Sequence, residues 1–383
     1  MAVNYLQYIS SVHQTDQTHP NIHFLVSGVD TQVRRIIGQN IITSCYAQGK
    51  TLFIIDNTQS AVDGRGTIGP YRIADALSGE VCLCRDLFEV NSLNSISRLR
   101  SLLFSLGFDG TRVQRVLTYL SFVLETERRL GNSSPLTADV LEEYGATILV
   151  KRKLNQLVER GKLGPENYEY LVGKYAEVSA SAADFEMFLM LFAPFLSGAS
   201  PSGETAVRLP AGEFLADRPM QELMCQLMLC YVRQNQTRSA VLILDDGRGD
   251  RGFLMDVLKA LPAAVDVHML SRDAFSLGET DLSVLMNTFS ARVYTRHEDM
   301  TSSGRIETHC GQIDVVKRAS TVTVDRHLRA NSIWDTLFGT DRTETEIQNA
   351  PVKEYRFRKE LIHSLPTGTG IIDCGGNQVL FSF

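Results

Sequence analysis

Residues 51–57, Thr-Leu-Phe-Ile-Ile-Asp-Asn, are a near-continuous apolar run ending in a polar pair, and this run constrains the fold most. A strand without polar alternation must be buried on both faces, which is the environment of a parallel sheet covered by helices. Upstream, "IHFLVSG" (22–28) is a second β-compatible run that ends at Gly28. Between the two, Val33, Ile36, Ile37 and Ile41 recur on one helical stripe. Asp30 or Thr31 is placed to cap that helix and Gly49 to end it. Together these make one βαβ unit. Further apolar runs at 239–250, 265–271 and 291–296 alternate with helical patterns, and "GEVCLCRD" (79–86) reads as one more strand. The chain closes on two strands about a Gly375–Gly376 turn. This alternation predicts an α/β fold with a mostly parallel, doubly wound sheet.

From about residue 93 to 197 the pattern changes to a helical period. Val113, Val116, Leu117, Leu120 and Leu124 share one face, and Pro165 opens a later helix. The expected organisation is therefore residues 1–92 as the first part of an α/β core, 93–197 as an all-helical insertion, and 198–383 as the second part with its C-terminal β-hairpin. The segment 196–205 reads as an exposed hinge. With 44% apolar residues the chain can bury a large core, and a net charge of −6 does not support binding nucleic acid over the whole surface. The basic run 150–162, with Arg128 and Arg129, reads as a solvated helix face. Seven cysteines without a C-x-x-C pair point to a reduced, cytoplasmic protein, and "THC" (308–310) reads as ordinary strand or loop. The first twenty residues lack a signal-peptide core, and the apolar stretch 185–196, broken by Glu186 and Pro194, reads as a buried helix. No membrane insertion is expected.

The order of these motifs resembles the cytosolic part of type IV coupling proteins, the TraG-type ring ATPases of conjugation and type IV secretion within the FtsK-like and HerA-like group. The residues that carry the resemblance are the turn at 27–35, "FIIDN", the helical insert, "LILDD" (242–246), "HMLSRDAFSL" (268–277), the stretch 285–311 and the C-terminal end. The resemblance implies a RecA-like P-loop NTPase fold with an inserted all-helical domain. A P-loop reads G-x-x-x-x-G-K-[ST]. From Gly28 this chain reads Gly28-Val29-Asp30-Thr31-Gln32-Val33-Arg34-Arg35. Val33 stands at the second glycine and is poorly suited to φ > 0. Asp30 puts a carboxylate where phosphate oxygens would sit. Arg34 replaces the lysine, and Arg35 replaces the hydroxyl that would bind Mg²⁺. Asp245 keeps the Walker B acid, Asp246 replaces a Glu, and Arg272 replaces a Gln that senses γ-phosphate. The bare alternative is a plain strand-to-helix turn at Gly28, a helix cap at Asp30 and an ordinary strand end at Asp245 and Asp246.

Three functions follow as expectations. The first is a pseudo-ATPase acting as a docking or scaffold subunit of a conjugation-like or secretion-like assembly. It would have no catalytic residue, no metal and no cofactor, would be a monomer or weak oligomer, and would meet protein partners through the helical insertion. The second is an active ring ATPase moving DNA or protein with an atypical P-loop, hexameric and using ATP and Mg²⁺. The third is a nucleotide or anion sensor without hydrolysis. Arg248 and Arg251 read either as inter-subunit fingers or as loop charges. If Mg²⁺ is absent, Asp245 and Asp246 need another cation, and Arg35, then Arg34 or Arg272, is expected to supply it.

Overall fold

The computed structural model describes residues 23–58, 67–90, 95–145, 147–214, 217–247, 251–323, 344–374 and 376–382. The first unit is as the sequence predicts: β1 (Phe24–Ser27), α1 (Thr31–Ala47) and β2 (Thr51–Asn57), with every residue of β2 buried. A short antiparallel pair follows, β3 (Thr67–Ile68) and β4 (Tyr71–Asp75). The helical stretch holds α2 (Ser95–Ser105), α3 (Gly110–Arg129), α4 (Ala138–Glu142), α5 (Thr147–Glu159), α6 (Pro165–Val178) and α7 (Ala182–Leu196). The chain then returns through β5 (Thr205–Leu209), α8 (Arg218–Gln234), β6 (Ser239–Asp245), α9 (Arg251–Ala260), β7 (Asp266–Ser271), α10 (Glu279–Thr288), β8 (Ala291–Tyr294) and α11 (Met300–Cys310). Next come a separate two-stranded ribbon, β9 (Gln312–Thr323) with β10 (Glu344–Tyr355), then α12 (Lys359–His363) and the closing pair β11 (Thr369–Cys374) and β12 (Asn377–Ser382). Gly375, one of the two expected turn glycines, lies outside the described residues.

The main sheet runs β12-β11-β8-β1-β7-β6-β2-β5-β4-β3. From β8 to β4 the neighbours are parallel, and the outer strands are added antiparallel. One strand, β7, separates the turn strand β1 from the acidic strand β6, and this 8-1-7-6-2 core order is that of a RecA-like P-loop fold. Side chains alternate between the two faces. Phe24, Val26, Leu52, Ile54 and Leu242 pack with Val33, Ile37 and Ile41 of α1. Leu25, Phe53, Ile55, Val241 and Ile243 belong to a second cluster that includes α8, α9 and the interior of α2–α7. The helical stretch therefore shares one apolar core with a face of the sheet.

Two readings of the sequence change. Residues 79–86 form no strand: Val81 makes one isolated bridge to Ala199, and a 3₁₀ turn starts at Arg85. Val81, Cys82, Leu83 and Cys84 are all buried, so the run looks strand-like, but it is the strip where the chain leaves the sheet. Segment 196–205 is mostly exposed, as the sequence predicts, and lies against that strip. Cys82 N–H donates to Ala199 O at 2.9 Å, and a Cβ on Gly198 would meet Glu80 C at 2.3 Å. "THC" ends α11, a helix that begins where the Asp299 carboxylate accepts the N–H groups of Thr301 and Ser302. Finally, Pro165–Leu196 is long and apolar enough by composition to cross a membrane. Within the fold, its residues Phe185, Phe188, Phe192 and Phe195 are each fully buried in the helical core.

Candidate functional site

Strand register brings the site together. Asn57 stands beside Asp245, Asp245 beside Ser271, Ser271 beside Ser27, and Ser27 beside Tyr294. The polar C-terminal residues of successive parallel strands thus form one row at the carboxyl edge, where open α/β sheets bind ligands. All five are fully or almost fully buried.

At the turn, only Gly28, Val29 and Asp30 separate β1 from α1. Thr31, Val33, Arg34 and Arg35 already belong to the helix, so the chain has no wide loop to wrap a phosphate. Val33 is fully buried under the sheet, which accounts for a β-branched residue where a P-loop has glycine. Gly28 adopts φ +137°, and a Cβ there would meet Thr295 Oγ1 at 2.0 Å and Arg296 O at 2.8 Å. Its N–H donates to Ser271 O at 3.2 Å, and Val29 N–H donates to Arg296 O at 2.8 Å. Asp30 is buried to 8% exposure. One carboxylate oxygen accepts the N–H groups of Gln32 at 3.0 Å and Val33 at 3.1 Å. The other accepts the N–H of Gly368 at 2.7 Å, from the segment before β11. The donors that a helix start offers an anion are thus taken by the protein's own carboxylate.

At the acidic strand, Asp245 Oδ2 accepts Ser271 Oγ–H at 2.8 Å and Arg251 Nη2–H at 3.1 Å, and Oδ1 accepts Gly247 N–H at 3.0 Å. Arg251 also donates to Asp273 O at 2.8 Å and to Ser276 Oγ. An arginine therefore pairs the acid, but it is Arg251 and not Arg35. The reason is helical phase: Arg35 points outward from α1 and is exposed, whereas Arg251 opens α9 directly after the β6 turn. Arg34 is half-buried. Burial lowers its pKa, Arg272 nearby adds to that, and Asp30, Asp245 and Asp246 oppose it. Arg272 bonds to Glu298 at 2.8 Å. Arg248 lies outside the described residues.

Several residues at this edge carried no recognisable signal in the sequence. His297, 1% exposed, follows β8, and its Nδ1 lies 2.8 Å from Thr295 O. Its Nε2 lies 2.9 Å from Ser27 Oγ, which accepts Ala274 N–H at 3.0 Å. Burial lowers the His297 pKa, so the ring is neutral: Nδ1–H donates to the carbonyl and Nε2 accepts the Ser27 hydroxyl. On the other flank Arg208 of β5 donates to Asp56 at 2.9 Å and to Glu213 at 2.7 Å. Burial disfavours the Arg208 cation, but bonds to Glu213 and Asp56 outweigh this and raise its pKa. An arginine inside "TAVRL" finds its acid only once β5 lies beside β2.

Buried neutral histidines make stability depend on pH. Burial in β7 pushes His268 down from 6.5 to about 3. Below about 6.5 the unfolded chain takes up a proton that the folded chain refuses, so stability falls as pH drops through the window from 6.5 to about 3. Urea unfolding at pH 5 should give a stability on the order of 2 kcal/mol below that at pH 7.5 from this group alone. His268→Phe should flatten that dependence, and an unchanged slope would show that His268 does not carry it.

No protein-family model matches the chain, and no curated protein matches it. Among solved structures, it is similar to the unbound bacterial conjugative coupling protein TrwBdeltaN70, at 12% identity and a TM-score of 0.47, over 97% of this chain and 91% of that one. The plasmid coupling protein TrwB with the GTP analogue GDPNP gives 12% identity and 0.46 over the same shares. VirB4 of Thermoanaerobacter pseudethanolicus gives 12% identity and 0.45, over 96% of this chain and 90% of that one. Each of these likenesses spans nearly the whole of both chains.

Proposed function

We propose that this chain is a pseudo-ATPase of coupling-protein-like fold, a cytoplasmic docking or scaffold subunit of a conjugation-like or secretion-like assembly. The observation that carries the reading is Asp30, whose carboxylate accepts the N–H groups of Gln32, Val33 and Gly368 where a nucleotide phosphate would have to bind. A phosphate there meets a like charge in a partly dry site, and must also displace the segment at Gly368. Arg251 adds support from the other side, because it satisfies the acid to which Mg²⁺ would bind. Neither charge can leave without stranding its partner. Protein partners would then meet the helical stretch between 93 and 197, and no nucleotide would close an interface between copies.

Calorimetric titration with ATP, with and without Mg²⁺, tests this. The expected result is no heat attributable to the turn at millimolar ATP and no turnover. Mg²⁺-dependent binding with hydrolysis would establish the ring-ATPase reading instead, and Mg²⁺-independent binding that is lost in an Arg34→Ala variant would establish the sensor.

A further inference from the structure

A cleft of about 580 Å³ opens between α2, which begins the helical stretch, and α8, which covers the sheet. Ser97, Arg98 and Ser101 line one wall, and Gln226, Cys230 and Arg233 line the other. Its size is that of a site for a small organic ligand, and clefts between packed layers are where such sites form. The lining sets its charge. The chain carries 44 acids against 38 bases, yet among the described residues no Asp or Glu lines this cleft and two arginines do. Both arginines line this one cleft; burial raises the Cys230 thiol pKa, and Arg233 and Arg98 oppose that shift. Among the described residues the Arg233 guanidinium makes one long bond, 3.5 Å to Ala260 O, which leaves most of its five donors for other acceptors. The Ser101 hydroxyl is turned back to the carbonyl of Ser97, so α2 presents a low, small-side-chain wall that a ligand can approach.

We infer that this cleft binds a small phosphate ester, with Arg98 and Arg233 as its two cationic clamps and the Gln226 amide as a further donor. The guanidinium fork matches phosphate oxygens in pairs and stays charged at every physiological pH. A phosphate monoester offers the two forks up to two negative charges and three terminal oxygens, against one charge and two oxygens in a single carboxylate. The cleft lies on α2 and α8, away from the carboxyl edge of β1, β6 and β7, so it binds independently of the turn at Gly28.

Cys230 provides the readout. It is half-buried, whereas Cys45, Cys82, Cys84, Cys225, Cys310 and Cys374 are buried, so iodoacetamide on the folded protein should mark Cys230 first. The rate at Cys230 is followed by mass spectrometry with inorganic phosphate, AMP, or a single-stranded deoxyoligonucleotide present. AMP or inorganic phosphate at saturation should slow alkylation about fivefold or more, and Arg98→Ser or Arg233→Ser should raise the concentration needed for half of that protection about tenfold, as loss of one bidentate clamp implies. Both arginines are exposed, so these variants keep the fold, which a thermal melt checks. Protection by the oligonucleotide and not by AMP would overturn the assignment to a small ester. Protection by none of them, or protection unchanged in both variants, would overturn the site. Protection that survives Arg34→Ala but not Arg98→Ser separates this cleft from any binding at the turn.

Discussion

Arg251→Ala should destabilise the protein by about 3–5 kcal/mol, measured by urea unfolding at pH 7.5. The side chain of Asp245 is fully buried and that of Arg251 is 15% exposed. Taking away the guanidinium leaves a charge that the Ser271 hydroxyl and the Gly247 N–H hold only in part. The cost is that of an uncompensated buried carboxylate, not of the lost contact alone. The double variant Asp245→Asn with Arg251→Met should therefore be more stable than Arg251→Ala alone, because the charge leaves with its partner. Arg35→Ala, by contrast, should change stability by less than about 0.5 kcal/mol, since Arg35 is exposed. If Arg251→Ala is neutral, the pair does not stand in for a metal, and the pseudo-ATPase reading loses its second support.

Gly28→Ala should cost a comparable amount, on the order of 3 kcal/mol or more, through two separate effects. The backbone at φ +137° is one that side-chain-bearing residues rarely adopt. The added methyl would also lie 2.0 Å from Thr295 Oγ1 and 2.8 Å from the Arg296 carbonyl, so the loop after β8 would have to move. That loop carries His297, whose ring accepts the buried Ser27 hydroxyl, and the displacement should propagate there. Thr295→Ala in the Gly28→Ala background removes the nearest clash but leaves the backbone strain, so it should restore only part of the loss. A fully stable Gly28→Ala would mean that the turn opens freely, as a working phosphate loop could. The glycine that looks like the first residue of a P-loop is accounted for here by close packing against the chain after β8.

The local units were legible in the residues themselves. The unbroken apolar run at 51–57 required a doubly covered strand, and the stripe Val33, Ile37, Ile41 required a helix packed on it, because side-chain period and burial are coupled. The capping role of Asp30 was equally local, since a cap bonds to N–H groups two and three residues along. Tertiary structure decided what periodicity does not encode. Strand register placed Asp245 beside Ser271 and Asn57, and helix phase turned Arg35 to solvent while Arg251 reached the acid. It also paired Arg208 with Asp56 and His297 with Ser27, partners 152 and 270 residues apart in the chain. Residues 79–86 were misread for the same reason: four buried apolar side chains look alike in a strand and in a strip crossing between layers, and only the neighbour across from them tells which it is. Burial of apolar surface is read off a sequence one residue at a time, but a buried charge must find a specific partner, and that partner is chosen by the fold.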